Sequence, residues 1–403
     1  MVVVGHWLVA FIIIDGDFVR TDTVLAMVEE TQWLTWIFQV MPLFFFVGGY
    51  LNARSWRRAR RRGRAYGEWI RRRAKRLLWP LVPLFVVWIP AVVLFDALGA
   101  PTYVAIMASY TAWLPVWFIA AYLAIVAVVP VSLSIHERWG GGAVVALFAL
   151  VVAADLAVEL GIETIGWGNF AVVWLAVHQL GFFWSDRRLP DRSRWGVGLA
   201  VVAYAVALWL TQVAGYPLSM VATGEPVRTN DYPPNLALVA LALGQIGLIS
   251  AFRRRVGQWL ENSRGWAVVA LIGNRVMTVF VWHMTALVVV AYVVYTTGIW
   301  PVHRDVDASW WLWRIPWLAV VGVGMALFVS IFGRFERSSR GDSMEVSYPG
   351  AGIVAVIGVA LATGGLTWIV TAGLYAGGGW SGIAWGPVAM VVVGFVALGV
   401  VGS

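Results

Sequence analysis

Polar residues are sparse along this chain and fall in clusters that divide it into apolar runs. The runs lie at about 1–14, 31–52, 77–97, 112–133, 142–160, 167–184, 196–214, 235–251, 270–296, 311–332, 351–375 and 384–401. Most are about 17–25 residues long, the length a helix needs to cross the hydrocarbon of a bilayer at about 1.5 Å per residue. The pattern predicts an all-α polytopic transmembrane bundle of about 12 helices. Trp33, Trp113, Trp167, Trp266, Trp300 and Trp310 fall near predicted ends, as an interfacial aromatic belt requires.

Composition agrees, with 61% of the 403 residues hydrophobic and 12% charged. Soluble domains run nearer half apolar and a quarter charged. The chain has no cysteine, which removes disulfides, thiolate nucleophiles and Cys-ligated metals together. Lys75 is the single lysine, so the net charge of +8 is carried by arginine. Twelve Arg and Lys lie in loop 53–76, and loops 134–141, 185–195, 252–265 and 333–350 bring the total on that side to 24. The alternate loops hold only Arg20, Arg228 and Arg304, beside Asp15, Asp17, Asp22, Glu29, Glu30, Asp305 and Asp307. The positive-inside rule makes the arginine-rich loops cytoplasmic and the protein a multi-pass component of the plasma membrane. Charge spread over loops in this way serves topology, and no nucleic-acid partner is expected.

The first run is short. Fourteen residues reach only about 21 Å, against a hydrocarbon core of about 30 Å. It has neither a basic leader nor a small-residue cleavage site before Asp15, so it does not read as a signal peptide. The simplest expectation is a first helix lacking an amino-terminal stretch.

Ionisable groups inside apolar runs are costly and mark functional positions by default. His6 lies about 12 Å from the outer end of the first run, and His283 about 20 Å from the outer end of its own. Both can therefore line one cavity. The competing explanation is that each imidazole only hydrogen-bonds a neighbouring helix. For His178, followed by Gln179, that plainer role is the expectation; His136 and His303 are read as solvated loop residues. No HxxxH or HExxH spacing occurs, so no metal is expected.

Several segments carry a resemblance. They are GHW at 5–7, MPLFFFVGGYLNARSW at 41–56, YGEWIRRRAKRLLWPLVP at 66–83, PVWFIAAYLAIVAVVP at 115–130, WLAVHQLGFFWSD at 174–186 and MTVFVWHMTALV at 277–288. In this order and spacing they resemble the acyltransferase-3 family of polytopic membrane acyltransferases. The resemblance covers residues 1–335, a ten-helix core; it leaves 336–350 as a cytoplasmic linker and 351–403 as two additional transmembrane helices. It implies an enzyme that moves an acyl group, often acetyl, from acyl-CoA to a hydroxyl, frequently on a sugar, cell-envelope glycan or glycosylated metabolite. No bound cofactor is implied; acyl-CoA is a co-substrate. His6 matches the family's first-helix histidine, held to be essential. The arginine usually found about ten residues before it has no place here, since only five residues precede His6.

The chemistry of the residues agrees with that implication. A hydroxyl needs a base to attack a thioester at neutral pH, and without cysteine a neutral imidazole is the natural base or acyl carrier. Most arginines of the 53–76 loop serve topology and anionic headgroups. Arg73 and Arg76, three apart on one helix face before Leu77, are the candidates for CoA phosphates or for orienting a pore-lining group. Trp117 and Phe118 are candidates to wall an acyl channel, and lipid-facing aromatics would read the same way. Arg275, about two turns before His283, either shares its face or snorkels to the interface. Gly48-Gly49 permits close helix approach. The long outer loop 215–235 can shape access for the hydroxyl-bearing acceptor. A transporter or exporter of a small polar molecule is the rival reading, and the absence of an internal repeat speaks against it.

Overall fold

The computed structural model describes residues 1–15, 18–189, 193–224, 228–261, 265–338, 350–377 and 381–401. The chain opens with helix α1, Val2–Val9, followed by a hairpin of β1, Ala10–Asp15, and β2, Phe18–Thr23. Then come α2, Met41–Arg61; α3, Tyr66–Leu78; α4, Val82–Ala97; α5, Thr102–Trp113; and α6, Val116–Ala127. After these follow α7, Val129–Trp139; α8, Gly141–Glu159; α9, Asn169–Ser185; α10, Ser193–Gln212; and α11, Leu236–Glu261. The chain ends with α12, Val276–Thr296; α13, Ala308–Ser338; α14, Ala351–Ala372; and α15, Trp385–Ala397. Asp17 and Glu225, and residues 339–349 of the expected linker, lie outside the described residues.

This is the all-α polytopic bundle that the apolar runs predict. Among the described residues, eight helices are long and apolar enough to cross a membrane, or nine if α5 and α6, bent by 41°, form one span. Three of the twelve expected runs fall short of that length. The 167–184 run becomes the 17-residue α9, and the 384–401 run becomes the 13-residue α15. The first run is helical for only eight residues before it turns into the hairpin. Its later half carries Phe11 and the β-branched Ile12–Ile14, whose side chains suit a pleated strand better than a helix. At the other end of the family-like region, α13 continues to Ser338, into the stretch predicted as linker.

The helices sort into two units. The first holds Met1–Gly5, Thr23–Arg61 and Val128–Val269. Here α2 packs along α9, α9 against α8, and α10 against α11. The α2–α9 approach is close because both helices present glycine: a Cβ on Gly49 would strike the His178 carbonyl, and one on Gly181 would strike backbone of α2. This is the close approach expected of Gly48-Gly49. Beside it, Asn52 pairs with His178 Nε2 at 3.1 Å, and Ser132 donates to Gln179 Oε1 at 3.1 Å. His178 is thus the interhelical hydrogen-bonding residue expected. In membrane helices small residues permit backbone approach, and paired polar groups add to it.

His136 departs from expectation. It is a residue of α7, 1% exposed, and its Nε2 lies 3.0 Å from the Asp186 carboxylate. Asp186 also pairs with Arg57 at 2.5 Å, and Arg57 Nε reaches Glu137 at 3.0 Å. Part of the arginine block is therefore spent tying α2 to α7 and to the end of α9. At the other end of this unit, Asp155 accepts from Asn169 at 3.0 Å, Tyr216 at 2.9 Å and the Leu236 amide at 2.8 Å. That buried carboxylate holds α8 to the start of α11, where Asn235 caps the helix through the Ala237 amide at 3.0 Å.

The second unit holds His6–Asp22, Arg62–Ala127 and Ala270–Ser403. In it α12 packs on α13 and on α5, while α14 packs on α3, α6 and α15. The first of the two C-terminal helices is therefore folded onto α3 and α6, and the second packs on the first; a Cβ at Gly67 would press on backbone at 351–352, so glycine lets α3 and α14 meet. The chain runs from α3 into α4 through a single turn at Trp79–Leu81 containing Pro80. Proline is tolerated there, and at Pro83 in the first turn of α4, because those amides have no helical acceptor. The N-terminus of α12 is capped across helices. Glu336 of α13 accepts from the Thr278 amide at 3.0 Å and the Thr278 hydroxyl at 2.8 Å. A carboxylate at a helix N-terminus also opposes the helix dipole favourably.

Two outcomes follow. Gly49→Leu must push α2 off α9 and should destabilise the protein by about 2 kcal/mol, as overpacking does, whereas Gly257→Ala in α11 meets open space and should not. Thermal unfolding in detergent compares the two. Partial burial pushes the Asp186 carboxyl up, but hydrogen bonds and charge from Arg57 and His136 outweigh it and hold it below the usual range. A depressed folded-state value means the contribution is complete above about pH 4 and is lost as pH falls through the depressed value. Asp186→Asn should therefore flatten the acid limb of stability against pH, and an unchanged limb would contradict the network.

Candidate active site

The second unit brings two of the predicted residues into direct contact. His6 Nδ1 lies 2.9 Å from His283 Nε2, and the rings stack with centroids 5.2 Å apart and planes 10° from parallel. His283 Nδ1 lies 2.7 Å from the Phe280 carbonyl, which can only accept. The protons are thereby assigned by the network. His283 carries its hydrogen on Nδ1 and donates it to Phe280, so Nε2 of the neutral ring is an acceptor. His6 must then donate from Nδ1, which leaves its own Nε2 as an unprotonated lone pair. That nitrogen has no hydrogen-bond partner among the described residues. His283 is fully buried, while the His6 ring keeps partial exposure.

The short α1 needs outside support, because a helix of eight residues has unsatisfied carbonyls over much of its length. Indole and guanidinium groups supply it. Trp7 Nε1 donates to the His283 carbonyl at 3.0 Å, Trp317 Nε1 to the Trp7 carbonyl at 3.0 Å, and Arg314 Nη1 to the Ala10 carbonyl at 3.0 Å. On the far side of α12, Trp88 Nε1 donates to the Thr285 hydroxyl at 3.0 Å. The segment bearing His6 is thus clamped to α12 and α13 by donors that an apolar interior would otherwise leave unpaired.

An aromatic file leads from the histidine pair toward the arginine-rich end. Phe280 lies 5.9 Å from His283 between ring centroids, Phe118 lies 5.4 Å from Phe280, and Tyr122 lies 5.5 Å from Phe118. The Tyr122 side chain interacts with the Arg73 guanidinium. Phe118 is therefore part of the file as well as of the core. Trp117, half-buried, meets Phe118 edge-on with centroids 6.3 Å apart. Arg76, one turn beyond Arg73, is exposed. Arg275 stands at the start of α12 with its guanidinium packed over Gly333, and it does not reach His283. Of the predicted set, the fold assembles His6, His283, Phe118 and Arg73 and leaves Trp117, Arg76 and Arg275 at or beyond the margin.

Four residues close to the site were not singled out from sequence. Phe280 was findable as the residue one turn before His283, and Tyr122 as one turn after Phe118. Trp7 adjoins His6. Arg314 stands amid Trp310, Trp311, Trp313 and Trp317, where a lone charge among indoles is itself a signal.

A family model described as an acyltransferase domain matches residues 1–335. The chain belongs to the acyltransferase-3 family. It is a membrane acyltransferase, an enzyme transferring groups other than amino-acyl groups, and the carrier alternative falls with that assignment. No curated protein and no solved structure matches the chain. The matched region contains every element of the site, from α1 to α13. In this acyltransferase α14 and α15 lie outside it, yet α14 packs on the two helices that carry Arg73 and Tyr122.

The tautomers can be read directly. Nitrogen-15 spectra of the histidine-labelled enzyme should place both His6 and His283 in the Nδ1–H form. A neutral His6 ring carrying its proton on Nε2 would contradict the Phe280–His283–His6 relay.

Proposed function

We propose that this acyltransferase carries an acyl group, acetyl in the simplest case, from acyl-CoA to a hydroxyl of a carbohydrate, cell-envelope glycan or glycosylated metabolite. The observation that carries the proposal is the lone pair left on His6 Nε2 by the Phe280–His283–His6 relay. A neutral imidazole with one nitrogen anchored and the other open is arranged as a general base. His6 Nε2 takes the proton from the acceptor hydroxyl, and the oxygen attacks the thioester carbonyl. Collapse of the tetrahedral intermediate forms the ester, breaks the C–S bond and expels the CoA thiolate, which receives the proton from the imidazolium. His283 is a positioning residue: it fixes the His6 tautomer and ring plane and bears the charge that builds up beside it.

The donor enters at the arginine-rich end, which faces the cytoplasm of a plasma-membrane protein by the positive-inside rule. Arg73, with Arg76 at the mouth, binds the phosphates of CoA, where guanidinium geometry favours bidentate contact. The file of Tyr122, Phe118 and Phe280 then guides the pantetheine arm and acyl group to His6.

Purified full-length enzyme should consume acetyl-CoA in the presence of acceptor. His6→Ala should lower turnover by about 10²–10⁴-fold, the range for loss of a general base; full activity would remove His6 from the mechanism. His283→Leu leaves the His6 donor without an acceptor and should cost at least about tenfold in kcat. His283→Gln, whose amide oxygen can accept, should recover part of that loss and move the pH profile less.

A further inference from the structure

Arg314 is 4% exposed, belongs to no ion pair among the described residues, and binds the chain four residues beyond the proposed base. Its Nη1 donates to the Ala10 carbonyl at 3.0 Å. Its face lies over the Trp310 ring at 4.1 Å and near that of Trp317 at 5.3 Å. Nε is buried with no acceptor, and Nη2 makes no hydrogen bond among the described residues. The acidic residue nearest in sequence, Asp307, is already used, accepting from the Trp310 amide at 2.8 Å at the start of α13. Other arginines with close carboxylates, such as Arg57, Arg72 and Arg228, are paired.

Capping the end of α1 explains one of the five N–H groups of this side chain and not the rest. A neutral amide could cap a carbonyl without bringing a charge into an apolar interior, where an unpaired ion is strongly disfavoured. The indole rings cover the flat faces of the guanidinium and offset part of that cost. They leave the Nε/Nη2 edge, the pair of parallel donors that matches two oxygens of a carboxylate or phosphate. Ala10 follows His6 by four residues, a rise of about 6 Å in a helix. An anionic group held at this edge would set a hydroxyl of the same molecule near His6 Nε2.

We propose that Arg314 binds the acyl acceptor through an anionic oxygen group, so that the acceptor carries a carboxylate or a phosphate besides the hydroxyl that is acylated. This rests on the reading of His6 as the base. Arg314 lies near the N-terminus of α13, away from the Arg73 end of the aromatic file, so donor and acceptor are held by different arginines.

The test uses the full chain in phosphatidylcholine nanodiscs, titrated at matched ionic strength with glucuronate, glucose 1-phosphate and glucose, and read by tryptophan fluorescence. At least one charged sugar should bind tenfold or more tighter than glucose, and which one does so distinguishes carboxylate from phosphate. Arg314→Gln should bring that affinity down to the level of glucose, with Arg314→Lys between them. Equal binding of charged and neutral sugars by the wild type, or no binding of either charged sugar, would overturn the proposal without recourse to a variant. So would a response seen only when phosphatidylglycerol replaces phosphatidylcholine, which would assign the anion to a lipid headgroup. Acetyl-CoA consumption is measured alongside. Selective binding without consumption under any condition overturns the acyl-transfer reading of His6, whereas consumption with no preference for charge overturns only the role of Arg314.

Discussion

The contact between His6 and His283 depends on a constraint that the bilayer imposes on everything around it: a polar group without water must find a partner in the protein. Two imidazoles satisfy one another only if one donates and the other accepts, so the accepting ring must stay neutral while the contact lasts, whereas the donating ring can take a second proton on its open nitrogen. The Phe280 carbonyl then decides which is which. Three groups in a row, each with a fixed hydrogen-bonding role, convert a general preference for satisfied polar groups into a specific chemical state of His6.

The same constraint accounts for the surroundings. α1 is too short to satisfy its own carbonyls, and Trp7, Trp317 and Arg314 connect it or its continuation to α12 and α13. Indole suits this duty because its N–H reaches a carbonyl while the rest of the ring packs as a hydrophobe. In the other unit, Asn52 with His178 and Asp155 with Asn169 and Tyr216 follow the rule without evident chemistry. An ionisable residue inside a helix is therefore not by itself a site. What separates His6 from His178 is a partly exposed ring at the head of the aromatic file, set against a fully buried ring placed between two packed helices.

Hydropathy made most of the bundle legible, because apolar length is a property of sequence alone. It overextended α1, where Ile12–Ile14 are as apolar in a strand as in a helix. His136 was misread for a related reason: near a charged connection, sequence does not reveal that α7 continues and turns the ring onto Asp186. The depths of His6 and His283 could be estimated separately, and their comparable values were informative, but their hydrogen bond depends on which helices adjoin. Phe118 could be proposed from a motif; its link through Tyr122 to Arg73 required the packing of α6 on α3. Arg314 was visible as a charge, but that no carboxylate among the described residues pairs with it is a fact of three dimensions.

The site as proposed has a direction. Arg73 and the aromatic file lie on the side where α3 begins and α13 ends, and Arg314 lies near the beginning of α13. Opposed cationic anchors around one imidazole divide the labour between a large polyanionic donor and a smaller acceptor. They also limit wasteful hydrolysis, because a water molecule has no charge for Arg314 to hold and gains nothing from the orientation it enforces. Selectivity against water would then come from differential binding in the transition state, the source of discrimination open to an enzyme whose base cannot itself distinguish one hydroxyl from another.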